Sequence, residues 1–319
     1  MQEMTHRHTR EMDIFYNEHH SACTSCKRLF SDSETAHLGY LKNGTPALLC
    51  NQCSPQLEET VVRYYWRKRF YTIPEPTDLL WRYMDLSKFI SLISKHKLYF
   101  AAAKCFSDPF EGAKGILQRK EKWDTFYLNF LKNAIQTVPE TNPSKLIQED
   151  ISIKAQQLLD DLHTTGEVSR EQTFINCWHM SEFESEAMWK LYSKDITNAI
   201  VIQSTYERLY EALGKDPYIC IGKVEYIDYS KNFSPINDAF WCKRKSFEYE
   251  KEVRAIVQCP ESTGKLGIEL PVNIEALIEN LYVSPYASSW FYEVVQSVIE
   301  KYDLKKSILQ SQMKVTPFF

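Results

Sequence analysis

Two closely spaced cysteine pairs are the first feature equipped for chemistry: Cys23-x2-Cys26 and, after a further 23 residues, Cys50-x2-Cys53. Each pair offers two thiolates from one tight turn. Two such turns brought together form the tetrahedral four-sulfur set that holds structural zinc; a pair of reduced or redox-active dithiols is the alternative. His19, His20 and His37 lie close by, but four cysteines already close a site, so these histidines read as loop residues. Cys105, Cys177, Cys220, Cys242 and Cys259 follow no such spacing and suit reduced thiols. The second feature is FEYEKEVRAI, residues 247–256. Read as a strand, it sets Glu248, Glu250, Glu252 and Arg254 on one face, with Phe247, Tyr249, Lys251 and Val253 on the other. Carboxylates and a guanidinium in a row either line a pocket or form a solvated charge ladder.

These groups need elements to hold them. Between the cysteine pairs, HLGYLKNGTPALL suits a hairpin turning at Asn43-Gly44. A zinc-binding module over residues 1–53 has little core of its own, so the metal would supply much of its folding free energy. Residues 54–78 read as a helix and a linker. Ser54 is the N-cap and Pro55 sits at N1; Glu58 and Glu59 come early, and Arg63, Arg67, Lys68 and Arg69 late, as the helix dipole prefers. The end of that segment, RYYWRKRFY, interleaves cations and aromatics. It is a candidate for contacting phosphates and stacking on bases, with packing of its aromatics on the following domain as the alternative. TIPEPTD then reads as a stiff linker.

Residues 79–319 show a mixed pattern. LLWRY, KLYFAAA, TFINCW, NAIVIQS, YICIGKVEYIDY and NLYVSP read as strands. Helices are expected over 86–96, 116–136, 144–163 (opened by Asn142 and Pro143), TYERLYEAL and 288–302. Ser181 and Glu184 form a capping box ahead of AMWKLY. Strands and helices do not alternate strictly, so α+β is expected rather than a doubly wound sheet. A Gly-rich phosphate loop is missing, which argues against a P-loop NTPase or a Rossmann dehydrogenase.

Apolar residues make up 44% of the 319, enough for a substantial core, and the formal net charge is -4. With no global positive field, binding to nucleic acid or anionic membrane needs a local patch. No apolar run reaches the length of a membrane span, and MQEMTHRHTREMDIF lacks the apolar stretch of a signal peptide, so the cytoplasm is the expected location.

Several landmarks fall in one order: LWRY, then LYFAAAKCFSDPFEG, FINCWHMS, MWKLYSKD, VEYIDY, KSFEYEKEVRAI and LYVSPYASSWFYEVVQSVIEKY. Over roughly residues 79–315 the chain resembles a large bacterial family of domains of unknown function. That family carries an F-N-D-P-F-E loop, a W-x-x-Y helix start and an E-x-E-x-R strand. Ser107 stands where the family usually has Asn, and ITNAIVI lacks the Gly that commonly follows the W-x-x-Y segment. The order of elements in turn resembles the ADP-ribosyltransferase fold. This implies an α+β catalytic domain over 79–319 with a split sheet and flanking helices, preceded by a zinc-ribbon-like module.

The resemblance also implies a site. Breaking the bond between nicotinamide and ribose in NAD builds positive charge on the ribose, which a carboxylate can stabilise. Glu252 is the candidate for that role, with Glu250 orienting or activating the acceptor and Arg82 on the first strand holding NAD. Tyr83, Tyr192, Trp189 and Arg254 are the further candidates for NAD binding. Asp108 and Glu111 are expected to fix the Pro109 loop by capping or by pairing with a cation. His96, His163 and His179 read as structural, and Cys105 and Cys177 have no evident base. The expected activity is an NAD-dependent ADP-ribosyltransferase toxin or anti-phage effector, modifying nucleic acid, RNA above DNA, and held by a protein antitoxin. A non-catalytic binding module and a metal-dependent nuclease using Glu250, Glu252 and Asp108 are the alternatives.

Overall fold

Strand-forming sequence dominates the first unit of the chain. The structure, a computed structural model, describes residues 9–136, 148–236 and 238–319. They divide into two units, one running to Phe70 and including Lys215–Ile219, the other comprising Tyr71–Gly214 and Cys220–Phe319.

In the smaller unit, α1 (Arg10–His19) starts at Thr9, whose hydroxyl accepts from Met12 N. β1 (Thr35–Leu41), β2 (Pro46–Cys50) and β3 (Leu57–Tyr65) form an antiparallel sheet in the order β2-β1-β3. The hairpin turns where expected: Gly44 has φ +79°, and Asn43 Oδ1 accepts from Thr45 N. The expected helix from Ser54 is a single 3-10 turn, Ser54–Gln56, followed by β3. The β-branched and aromatic run TVVRYY favours a strand, and β1 supplies a partner edge. Tyr64 and Trp66 pack into this unit's own core, Trp66 Nε1 donating to His20 O at 2.7 Å, whereas Arg63, Tyr65, Arg67 and Lys68 are exposed. The histidines are not loop residues. His19 ends α1, His20 caps it beside Trp66, and His37 lies in β1 with Nε2 2.7 Å from Asn51 Oδ1.

The larger unit begins with the segment expected to be a stiff linker. It is anchored within that unit: Thr72 bridges to Lys223, Asp78 pairs with Lys223, and Pro76 O and Asp78 O accept backbone N–H groups of Glu207 and Tyr206. Its elements in order are β4 (Leu79–Asp85), α2 (Leu86–Lys95), β5 (Lys97–Ala102), α3 (Lys120–Gln136), α4 (Gln148–Gln172), β6 (Thr173–Met180), α5 (Glu186–Tyr192), β7 (Ala199–Thr205), α6 (Tyr206–Ala212), β8 (Cys220–Lys223), β9 (Glu225–Ile227), β10 (Cys242–Arg244), β11 (Glu252–Gln258), β12 (Gly267–Pro271), α7 (Ile274–Leu277), β13 (Asn280–Val283), α8 (Ser289–Lys301) and β14 (Ile308–Leu309). The expected opening of α4 at Asn142 and Pro143 lies outside the described residues.

The sheet runs β12-β5-β6-β4-β7-β13-β14, with β11 pairing β6 and β8 pairing β11. A strand has two edges, yet β6 has three neighbours. β11 follows its whole length, from Thr173 to His179. β5 meets it at Phe174 and Ile175, and β4 at His179 and Met180. β4 and β5 therefore splay apart, and Asn176–Trp178 face the gap. The fold is mixed α+β with a split sheet.

Two local readings change. YICIGKVEYIDY is not one strand: it breaks at Val224, whose N–H goes to Glu252 O, and β9 pairs in parallel with β10. The helix α5 is capped by Ser185, which accepts from Met188 N, rather than by Ser181 with Glu184. Glu184 instead accepts from Trp189 Nε1, Ser311 and Gln312 N, a tertiary use that local spacing does not register.

Candidate active site

The stretch 247–256 is not one strand. Lys245–Glu250 form a 3-10 segment, Lys251 adopts a left-handed conformation at φ +40°, and β11 starts at Glu252. The ladder explains the change, since Glu252 pairs with His179 near the end of β6 and Val253 with Lys223 at the end of β8. With no strand left to pair with, the chain turns. Glu248 points outward, exposed, while Glu252 and Arg254 do share a face of β11.

The turn nonetheless brings Glu250 back to Glu252, and Lys243 of β10 lies between them. Lys243 Nζ donates to Glu250 Oε2 and, at 3.1 Å, to Glu252 Oε2. Arg254 grips the same carboxylate through Nε to Oε1 at 2.9 Å and Nη2 to Oε2 at 3.1 Å. It also pairs with Glu111 at 2.8 Å and donates to Phe240 O at 2.6 Å. All five side chains of this cluster are buried, and it sets three carboxylates against two cations.

The two glutamates are driven in opposite directions. Burial alone would raise Glu252, but Arg254 and then Lys243 outweigh it and hold the carboxyl at about 2. Burial raises Glu250, and its proximity to Glu252 adds to that, against the opposing pull of Lys243. Glu252 is the permanent anion and Glu250 the better proton acceptor, a division of labour that suits acid–base chemistry.

Both glutamates line a cleft of about 470 Å³ in the split between β4 and β5. Arg82 and Tyr83 of β4, Cys177–His179 of β6 and Tyr192 of α5 line it as well. Arg82 Nη1 donates across the gap to Cys177 O at 2.6 Å, a carbonyl that neither β4 nor β5 claims, and its guanidinium lies 5.8 Å from the Trp178 ring centroid. The Cys177 thiol lies near Glu252, and burial, reinforced by that carboxylate, pushes it well above the usual thiol range, so it is no thiolate nucleophile.

Two of the expected NAD-binding residues do not line the cleft. Trp189 is fully buried against Tyr83 and Trp81, and Arg254 sits behind Glu252 with none of its surface exposed. Their large side chains serve the core and the ion cluster. Asp108 accepts from Phe110 N and pairs with Arg244 at 2.7 Å, and Glu111 pairs with Arg254; both secure the Pro109 loop. Lys243 escaped the sequence reading, while His179, read as structural, is so. His179 Nδ1 lies 2.6 Å from Glu250 O and fixes the turn that carries that residue, while burial lowers its pKa and keeps the ring neutral. Spacing could not reveal Lys243, because its partners are made by a turn; its one signal was its place directly after the apolar AFWC.

In the smaller unit the four cysteine sulfurs lie within 4.8 Å of one another, with Cys26 Sγ and Cys50 Sγ 4.0 Å apart. Sulfurs about 2.3 Å from a tetrahedral ion stand about 3.8 Å apart, so the cluster fits one metal ion. Cys50 falls to about 6, as the Cys53 N–H and the Arg28 guanidinium overcome burial; burial and the neighbouring thiols push Cys53 up to about 12. A crowd of sulfurs of this kind ionises fully only around a cation. Among the described residues no other trio of His, Cys, Asp and Glu converges in this way. Glu250, Glu252 and Asp108 are taken up by Lys243, Arg254 and Arg244, which removes the basis for a metal-dependent nuclease site.

No protein-family model matches the chain, and no curated protein matches it in sequence. Solved structures of Thermus sp. 2.9 DarT are similar at a remote level. The complex with NAD+ has a TM-score of 0.35 and 10% identity, covering 77% of this chain and 100% of that one. The complex with ADP-ribosylated ssDNA has a TM-score of 0.33 and 12% identity, covering 78% and 98%. Among the described residues, no helix is long and apolar enough to cross a membrane.

Proposed function

We propose that this protein is an NAD-dependent ADP-ribosyltransferase whose acceptor is nucleic acid. The observation that carries the reading is the pair Glu250 and Glu252, bridged by Lys243, oppositely tuned and lining one cleft together with Arg82. In this reading Arg82 spends one N–H on Cys177 O and offers others to the diphosphate of NAD. Tyr83 and Tyr192 flank the nicotinamide ribose. Glu252 accepts a ribose hydroxyl, and its fixed charge stabilises the oxocarbenium-like transition state. The bond between ribose C1′ and the nicotinamide nitrogen breaks, nicotinamide leaving with the electron pair. An N–H or O–H of the acceptor attacks C1′, and its proton passes to Glu250.

The four cysteines hold zinc, which stabilises the small unit. The exposed Arg63, Tyr65, Arg67 and Lys68 of that unit give it the cationic and aromatic groups that a single strand needs. A toxin or anti-phage role, with an antitoxin partner, is the biological setting such an activity suits.

The test is incubation with labelled NAD and separate pools of single-stranded DNA, RNA and cell protein, beside the Glu252→Gln variant. Label moving to a nucleic-acid pool, and lost in the variant, is the expected result. Label on protein alone would reject the acceptor class, and no nicotinamide release at all would reject the transferase in favour of a binding module.

A further inference from the structure

A second cavity, of about 320 Å³, opens in the larger unit between the loop Gly112–Leu117 and the helices α3 and α4. Three cations line it: Lys114, Lys120 and Arg170. Lys114 reaches in beneath α4, donating to Leu162 O and lying 4.9 Å from the Trp123 ring centroid. Room for it is left by Gly166, where a Cβ would come within 3.1 Å of its Nζ. Lys120 shares Asp124 with His163, and Glu167 is the carboxylate in the lining.

The walls of this cavity also hold two stranded donors. Trp123 is 3% exposed and its Nε1–H has no acceptor; Arg170 Nε is likewise buried without a partner. Both nitrogens are closed off in the present geometry, so an acceptor entering the cavity would reach them through a small shift of the wall, and the charge of the lining is the more direct indication. Unpaired donors beside an excess of cations ask for an oxyanion rather than an apolar or cationic ligand. The volume is at the lower end of the range for small-molecule sites.

We propose that this cavity is a phosphate site, and that it takes a phosphodiester of the nucleic-acid acceptor. The phosphate chemistry follows from the cavity; the acceptor strand as its source rests on the function proposed above. The test adds inorganic phosphate, 5′-AMP or a single-stranded oligonucleotide to the full chain and follows the Trp123 indole N–H resonance, assigned with Trp123→Phe. The same titrations are run on Lys114→Met and on Gly166→Leu, which keeps the net charge but crowds Lys114 and fills the cavity, each checked for an unchanged melting profile.

The expected result is a shifted indole resonance with the oligonucleotide and at least tenfold weaker binding in both variants. The salt dependence of binding should be shallower by about one in Lys114→Met, with nicotinamide release in the absence of acceptor unchanged. A shift with phosphate or 5′-AMP but none with the oligonucleotide overturns the strand and leaves a small phosphate ligand. No shift with any probe overturns the site. Because binding is read separately from nicotinamide release, loss of the transferase reading and loss of this site give different results.

Discussion

Arg254 holds Glu252 from two residues along the same strand, with Nε and Nη2 on opposite carboxylate oxygens at 2.9 and 3.1 Å, Arg254 fully buried and Glu252 open only to the cleft. The pair is the anchor of the cleft, and its removal has consequences that separate structure from chemistry.

Arg254→Met should destabilise the larger unit by about 3–5 kcal/mol, because Glu111 and Glu252 are left buried beside a single ammonium. Arg254→Lys should forfeit most of this as well, since one ammonium cannot span Glu252, Glu111 and Phe240 O. Urea denaturation measures both. A loss under about 1 kcal/mol in the Met variant would mean that the cluster is not buried as a unit.

Glu252 sets an acid sensitivity whose sign is fixed. Its folded pKa, about 2, is below the ordinary 4.5, so it stabilises the fold above about pH 4.5 and loses that contribution as pH falls toward 2. The contribution is on the order of 3 kcal/mol. Glu250 runs the other way, its raised folded pKa subtracting stability once it ionises. In Glu252→Gln, stability measured between pH 5 and 2.5 should fall less steeply with acid, the remaining slope coming from other carboxylates held low such as Asp78 and Glu34; an unchanged slope would assign the sensitivity elsewhere.

Glu250 should govern the acid limb of the pH–rate profile. Because its pKa is raised, that limb should lie above the ordinary carboxyl range, and Glu250→Gln should slow transfer to the acceptor by 10²–10⁴ while nicotinamide release falls much less. Equal loss of both reactions would count against a role for Glu250 on the acceptor side.

The cysteine cluster should bind one zinc ion per chain. Cys50→Ser should abolish that stoichiometry in a metal assay, and chelation should unfold the smaller unit ahead of the larger one. Full metal content in the serine variant would contradict four-sulfur coordination.

Lys251 stores backbone strain between the two glutamates. Lys251→Gly should be about 1 kcal/mol more stable by thermal unfolding, since glycine adopts φ +40° freely. A loss of stability would show that the Lys251 side chain outweighs the strain.

Local patterning set out a good part of this protein. The cysteine spacing announced a four-sulfur cluster, Asn43-Gly44 the hairpin, and the apolar periodicities β4, α2, β6, β7 and α8, because each depends on residues within one turn or one strand. The charged residues Arg82, Glu250 and Glu252 were visible as types and positions. Their geometry was decided only in three dimensions. Ser54 and Pro55 signal a helix start locally, yet β1 offered an open edge and drew residues 57–65 into a strand. FEYEKEVRAI has the alternation of a strand, yet it outruns its partners at Glu252 and turns, so Glu250 meets Glu252 through Lys243 and not along a shared face. Trp189 and Arg254 carry side chains that could serve a ligand or a core, and burial chose the core. Hydrophobic and turn signals act between near neighbours and are written in the chain itself. Ladder ends, ion clusters and the split at β6 depend on strands far apart in sequence, and those exist only once the fold has closed.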